Sequence, residues 1–373
     1  MNVLINASNL KVGGGIQVCD SVCRELYKYT SKHHFTVVLP SALEECAKAI
    51  EMLPCIYVVR YSRPLGFIQI LTGRNAFLDG LVEQHEIEMV FTLFGPSVWI
   101  PKCRHLCGFA LSHLVLSDSP FFKSVSWKDN LKLRLRLSFI KRNFRMSANA
   151  YYTENPFISM KLKELFPKKK VYTVTNNYNQ VFDYPEMWDC SVQLPYFDGF
   201  TLLTVCANYP HKNLPIIVPC IHILRSKYPD LKFRFILTIR EEEYIPLSEE
   251  EREHVLFLGA VRINQCPGLY QQVDAMFLPS LLECFSASYA EAMRMRKAII
   301  TTDLGFAHSL CGDAAEYYEA TSASALADSI YKVATDRLYY DHLLSLGDQQ
   351  LKEFDTYEER ARKLIEIMES YEK

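Results

Sequence analysis

Residues 275–303 read AMFLPSLLECFSASYAEAMRMRKAIITTD. An apolar run, AMFLPS, ends at Pro279-Ser280, a short loop carries Glu283, and a helical pattern begins near Ser286 to Ser288. A second apolar run, AIITT, follows at once. Strand, loop, helix and strand in this order make one repeat of a doubly wound, largely parallel α/β sheet.

The same alternation extends outward in both directions. Upstream in the same half, FTLLTVCAN (200–208), LKFRFIL (231–237) and VLFLG (255–259) read as strands separated by helical stretches. Nearer the start, VLIN (3–6), FTVVL (35–39), IYVV (56–59), MVFTLF (89–94) and HLCGFAL (105–111) form a first series, closed by YYTEN (151–155) and KVYTVTNN (170–177). Residues 178–199, rich in Tyr, Pro, Asp and Asn, lack periodicity and read as a linker. From Ser322 onward the pattern is two or three helices with no strand. The expectation is a domain over 1–185, a second over 186–355, and a C-terminal helix over 356–373 packing back on the first. Two such domains facing each other across a cleft place ligands at the carboxyl ends of both sheets.

Composition narrows the classes. The 373 residues, 49% hydrophobic, exceed one ordinary core and suit about two domains. With 41 Lys+Arg against 43 Asp+Glu there is no basic excess, which argues against nucleic acid as a partner. MNVLINASNLKVGGG lacks the basic and apolar regions of a signal peptide, and no apolar run approaches the ~20 residues of a membrane span. The 12 scattered cysteines read as reduced, small apolar residues of a cytoplasmic protein. Cys19/Cys23 and Cys103/Cys107 are spaced i, i+4, but no second pair follows at ligand spacing, so no metal site is expected.

The helix start after Glu283 offers free backbone N–H groups and a positive dipole end, which suit a diphosphate. Glu283 precedes that start and Glu291 lies about one turn inside it. Carboxylates so placed suit hydroxyl-bearing groups on either side of a phosphate bridge. Ser288-x-x-Glu291 also fits a capping box, and Glu283 a solvated loop acid. TVCANYPHKNLP (204–215) runs from a strand into a helix start, with Asn213 as a cap and Pro215 in the first turn. Gly13-Gly14-Gly15 after VLIN reads as a loop permitting close backbone approach, but it is not G-x-G-x-x-G.

The E-(seven residues)-E spacing after a P-S strand end, followed by helix, strand and T-T-D, resembles the donor site of retaining GT-B glycosyltransferases of the GT4 type, including those of bacterial surface-polysaccharide synthesis. That resemblance implies transfer of a sugar from a nucleotide sugar, such as a UDP- or GDP-sugar, to a hydroxyl of a glycan or polyprenyl-diphosphate-linked acceptor. It implies no cofactor and no metal, and the chain has no D-x-D to bridge a diphosphate through one. Glu283 would hold the sugar and Glu291 the ribose. Lys212 matches the lysine that neutralises the leaving diphosphate, while the paired arginine position falls on Ala207. Asn208 and His211 would donate hydrogen bonds there. Cys284, Phe285 and Ser286 occupy the stretch beside the sugar, where glycines are usual around the Phe. VLFLGAV (255–261) resembles the segment whose backbone meets the base, at Gly259 and Val261. Gly14 and Gly15 match the family's first glycine loop, and His113, after HLCGFAL, is the candidate group near the reacting sugar. A nucleotide-sugar epimerase of the same architecture and a non-catalytic nucleotide-sugar or glycan binder are the competing readings.

One further stretch stands out. From Lys123 to Arg145 there are eight Lys/Arg against one acid, Asp129, a net of +7, interleaved with Leu131, Leu133, Leu135, Leu137, Phe139 and Ile140. It reads either as a peripheral contact with an anionic membrane at the cytoplasmic face or as a solvated helix packing its leucines on the domain.

Overall fold

The computed structural model describes residues 1–11, 13–62 and 67–371. The chain forms two compact units, one of Met1–Ser117, Val125–Asn176 and Asp355–Lys373, the other of Asp118–Ser124 and Asn177–Phe354.

The first unit holds seven parallel strands: β1 (Asn2–Asn6), β2 (His34–Leu39), β3 (Ile56–Arg60), β4 (Met89–Thr92), β5 (Arg104–Gly108), β6 (Ala150–Thr153) and β7 (Lys170–Thr173). Their order is β3-β2-β1-β4-β5-β6-β7, so the winding reverses between β1 and β4. In register, Val3 lies beside Phe35 on one side and Met89 on the other. β1 is apolar at successive positions because both faces of the sheet are covered. Val3 and Ile5 point to a core shared with Val18 and Val22 of the Gly14–Glu25 helix and with Leu364, Ile365 and Met368 of the Tyr357–Glu369 helix. Leu4 points the other way, to Val38, Val90, Leu78 and Trp99.

The second unit repeats the plan with six parallel strands: β8 (Phe200–Thr204), β9 (Phe233–Leu237), β10 (Val255–Phe257), β11 (Ala275–Leu278), β12 (Ala298–Thr302) and β13 (Glu316–Tyr318). The order is β10-β9-β8-β11-β12-β13, with the reversal between β8 and β11. Leu202, Phe235, Phe277 and Ile300 pack under Ile217, Ile221, Leu326 and Ile330 from the covering helices.

Several strands stop earlier than the apolar runs suggest. β5 ends at Gly108, where an added Cβ would lie 1.8 Å from the Leu93 carbonyl oxygen, so the chain turns at a backbone crossing only glycine permits. β8 ends at Thr204, after which the Cys206 N–H donates to the Thr238 hydroxyl at 3.0 Å instead of to a neighbouring strand. β13 was not expected. Its three residues pair with Ile300–Thr302 and are too short to carry a periodic signal.

Candidate functional site

The reversal between β8 and β11 brings two loops together at the carboxyl edge of the second sheet, the place where open α/β sheets bind ligands. After β8 the chain makes a tight turn at Pro210–Lys212, then Asn213 takes a left-handed conformation at φ 51°. Asn213 therefore does not cap the following helix. Its side-chain amide donates to the Ala320 carbonyl at 3.4 Å, and the turn continues through Leu214–Ile216 before the Ile217–Lys227 helix starts. After β11 the Pro279–Phe285 loop docks on this turn, the Leu281 N–H donating to the His211 carbonyl at 2.8 Å. The Ser119 hydroxyl closes the same loop from its other side, donating to the Leu281 carbonyl at 2.6 Å.

Docking brings Lys212 and Glu283 into direct contact. The Lys212 ammonium donates to Glu283 Oε1, and the two side chains are only 13% and 10% exposed. Burial pulls the ammonium pKa down, but the adjoining carboxylate, by charge and hydrogen bond, more than offsets this and leaves it raised. Lys212 is thus a fixed cation at the switch point. Burial also pushes the nearby Cys206 thiol up to about 11, with the Lys212 charge pulling against it, so this cysteine stays protonated.

Two threonines set the height of the loop. Thr301 and Thr302 of β12 donate to the carbonyls of Leu278 and Ser280, at 2.9 and 2.8 Å. Strand β11 is thereby held right up to the residues that precede Glu283.

The helix beyond the loop is Ala287–Arg294, with Ser286 at its N-cap. No side chain caps it and its first turn carries no acid, so its leading N–H groups keep their positive end. The capping box that the Ser288-x-x-Glu291 spacing also allows is absent. Glu291 is buried and accepts from the Tyr270 hydroxyl at 3.2 Å, while Ser288 lies inside the helix rather than at its cap. Burial raises the Glu291 carboxyl to about 7, and the Tyr270 hydrogen bond opposes that only in part.

The remaining sequence candidates in this unit are spread along the same edge. Cys284 is buried beside Glu283, Ser286 is half-buried, and Phe285 meets the Phe354 ring edge-on at 6.1 Å. His211 stacks on Tyr209 and meets Phe121 edge-on. The Asn208 amide donates to the Glu243 carbonyl, which ties it to the loop after β9. Gly259, at φ +72°, and Val261 follow β10 and are partly exposed.

Gly14, Gly15 and His113 belong to the first unit. Gly14 and Gly15 are the first residues of the Gly14–Glu25 helix rather than a free loop. Gly13 is its N-cap, at φ 81°, again with no side-chain cap. His113 sits half-buried on the short Ser112–Val115 helix rather than in a loop. Across the β1/β4 reversal the Asn9 amide donates to the Phe94 carbonyl at 2.6 Å. Ser119 and Tyr270 escape a reading of the sequence as parts of the second-unit site, and for Thr301 and Thr302 the T-T-D pattern marks the place but not the hydrogen bonds they make.

Residues 199–336 match the family model of the group 1 glycosyl transferases. The match lies wholly within the second unit and contains Lys212, Glu283 and Glu291. No curated protein matches the chain in sequence. Among solved structures, a glycosyltransferase from Rickettsia africae ESF-5 is similar over 98% of this chain and 97% of its own, at TM-score 0.66 and 14% identity. Sucrose-phosphate synthase from Thermosynechococcus elongatus is similar over 99% and 98%, at TM-score 0.68 and 14% identity. HepE from Anabaena, solved in complex with UDP and glucose, is similar over 99% and 100%, at TM-score 0.64 and 15% identity. The chain has the GT-B fold.

Proposed function

We propose that the chain is a glycosyltransferase that moves a sugar from a nucleotide sugar to an acceptor hydroxyl with retention of anomeric configuration. The observation that carries this reading is the buried Lys212–Glu283 pair standing before an uncapped helix start at the β8/β11 switch point. The family match over that segment supports it.

Each group then has a task. The leading N–H groups of the Ala287–Arg294 helix and the Lys212 ammonium bind the donor diphosphate. As the bond from the anomeric carbon to the diphosphate oxygen breaks, negative charge builds on that oxygen, and a cation already fixed in place stabilises it most. The bond from the anomeric carbon to the acceptor oxygen forms on the same face. The departing diphosphate oxygen takes the acceptor's hydroxyl proton, so no strong protein base is needed. Glu283 orients the sugar by accepting from its hydroxyls. Glu291, one turn into the helix, accepts from the ribose, and the partly exposed backbone at Gly259 and Val261 meets the base. Gly14 and Gly15 are assigned to donor binding, and His113 to the reacting sugar.

UDP-sugars are the first donors to test, since HepE is solved with UDP-glucose and the trehalose-phosphate synthase among the similar folds is described as UDP-forming. A glycan or lipid-linked acceptor of surface polysaccharide synthesis fits the likeness to WaaG, a glycosyltransferase of lipopolysaccharide biosynthesis. The test is release of free nucleoside diphosphate from a panel of UDP- and GDP-sugars, with and without acceptor glycans. Consumption of one donor, abolished by Glu283→Ala, supports the proposal. Isomerisation of the sugar without an acceptor would make the chain an epimerase. Donor binding without turnover under any condition would leave it a binder, the reading that Ala207, at the position of the family's arginine, favours.

A further inference from the structure

The Trp127–Ser147 helix of the first unit has two apolar faces rather than one. Leu133, Leu137 and Ile140 are half-buried, and Phe144 is fully buried against Phe109 and Tyr151, so this face packs on the domain. Trp127, Leu131, Leu135, Phe139 and Met146 are all exposed, Trp127 by 73% and Leu135 by 66%. Spaced mostly at i, i+4, they lie along one stripe, on the side of the helix opposite the packed one.

Charge surrounds that stripe. The helix carries Lys128, Lys132, Arg134, Arg136, Lys141, Arg142 and Arg145 against Asp129 alone, seven positive and one negative, a net of +6. On a helical wheel Lys141 and Arg134 flank one side of the stripe, Lys132 and Arg136 the other, and Lys128, Arg142 and Arg145 lie on it towards its two ends, so the face is apolar and cationic together. The helix start is well formed, with the Ser126 hydroxyl accepting from the Asp129 N–H at 3.2 Å, so the stripe is held straight over about 30 Å.

A nucleic-acid contact would use the cations but leave five large apolar side chains in water. A second copy of the same face would oppose its own positive charge. We propose that this face docks on an anionic lipid surface, its Trp, Leu and Phe side chains entering the headgroup boundary and its Lys and Arg pairing with lipid phosphates. The helix lies in the surface and does not cross it, since among the described residues no helix is long and apolar enough to span.

The test is co-sedimentation of the full chain with vesicles of phosphatidylcholine alone or containing phosphatidylglycerol. No donor is required, so the outcome is separate from that of the transferase assay. Binding to the anionic vesicles only is expected, weakening as salt shrinks the screening length from about 10 Å toward about 3 Å. Leu131→Ser with Leu135→Ser should lower binding more than tenfold while leaving the melting temperature unchanged, because both side chains are already exposed. Lys132→Ala and Arg136→Ala should each cost on the order of fivefold. Leu338→Ser, at a still more exposed leucine of the second unit, should change nothing. The proposal is overturned if wild type fails to bind anionic vesicles, or binds them as well after the double substitution. It is also overturned if ultracentrifugation without lipid shows a dimer that the double substitution dissolves, or if duplex DNA is bound in preference to vesicles.

Discussion

At the β8/β11 reversal a lysine meets a glutamate, whereas at the β1/β4 reversal an asparagine amide meets a backbone carbonyl. Both edges lie beside a helix with no side-chain cap and no acid in its first turn. The architecture of the two edges is therefore the same, and the difference lies in fixed charge. A buried ion pair contributes little net stability when both partners are present, and leaving one unpaired is costly. Its presence at the β8/β11 reversal points to chemistry that needs a charge there, while the β1/β4 reversal is the neutral edge and suits a ligand held through backbone and amides. The first unit's own buried charges, Glu154 and Arg360, lie beyond β6 and on the Tyr357–Glu369 helix. The family match confined to 199–336 follows the same division.

The largest effect expected is on turnover. Lys212→Met and Glu283→Ala should each lower nucleoside diphosphate release by roughly 10²–10³-fold, the scale of removing a charge-stabilising group. Asn9→Ala at the neutral edge should lower it far less. Equal losses at both edges, measured on the same donor, would erase the contrast. Glu283→Ala also strands the Lys212 ammonium, and thermal melting should register about 3 kcal/mol of destabilisation that the double substitution Lys212→Met with Glu283→Ala largely avoids.

Each unit also buries one carboxyl whose pKa burial raises from 4.5 to about 7. These are Glu291, beside Tyr270, and Glu154, where the Arg360 charge opposes the rise. A carboxyl raised on folding favours the protonated form. Its stabilising contribution is complete below pH 4.5 and is lost as pH rises through 7, on the order of 3 kcal/mol for each group. Glu291→Gln and Glu154→Gln should each flatten that slope in urea titrations across this window. The ligand separates the two. Ribose hydroxyls donating to Glu291 would favour its ionised form, so UDP binding near pH 7 should release protons into the buffer. Calorimetry in buffers of different ionisation enthalpy should find that release in wild type and Glu154→Gln and not in Glu291→Gln.

The smallest effects belong to the glycines. Gly13 sits at φ 81° and ψ −160°, a region nearly closed to other residues, so Gly13→Ala should cost about 1–3 kcal/mol although nothing lies within 4 Å of the new methyl. Gly14 is helical, also with open space, and Gly14→Ala should stabilise by about 0.5–1 kcal/mol in chemical denaturation. If Gly14→Ala gains stability and loses turnover, the neutral edge meets substrate through its backbone. If it keeps both, that edge has no such contact.

The two sheets are legible in the sequence because strands buried on both faces are continuous apolar runs, and the helices between them carry their own period. Lys212 and Glu283 stand out singly because each follows a strand end. Their pairing is not legible. They are 71 residues apart and meet only because β8 and β11 lie side by side with β9 and β10 placed elsewhere. The same holds for Tyr270, whose hydroxyl takes Glu291 away from its helix cap, and for Ser119, which comes from the other half of the sequence. The glycine triplet misleads in a different way. Glycines signal permitted backbone freedom, and here only the first residue uses it.

The Tyr357–Glu369 helix bears on how the chain is made. Leu364, Ile365 and Met368 complete a core that Val3 and Ile5 share with Val18 and Val22, so one face of the first sheet stays only partly covered until a segment far downstream has left the ribosome. Contacts of such sequence separation form slowly, and the uncovered strands remain sticky during synthesis. By contrast, the second unit, apart from Asp118–Ser124, is one uninterrupted stretch that can be assembled while the first is still open. A fragment ending at Asn176 would lack that helix and should be recovered aggregated, whereas adding back a peptide covering 355–371 should restore part of its solubility.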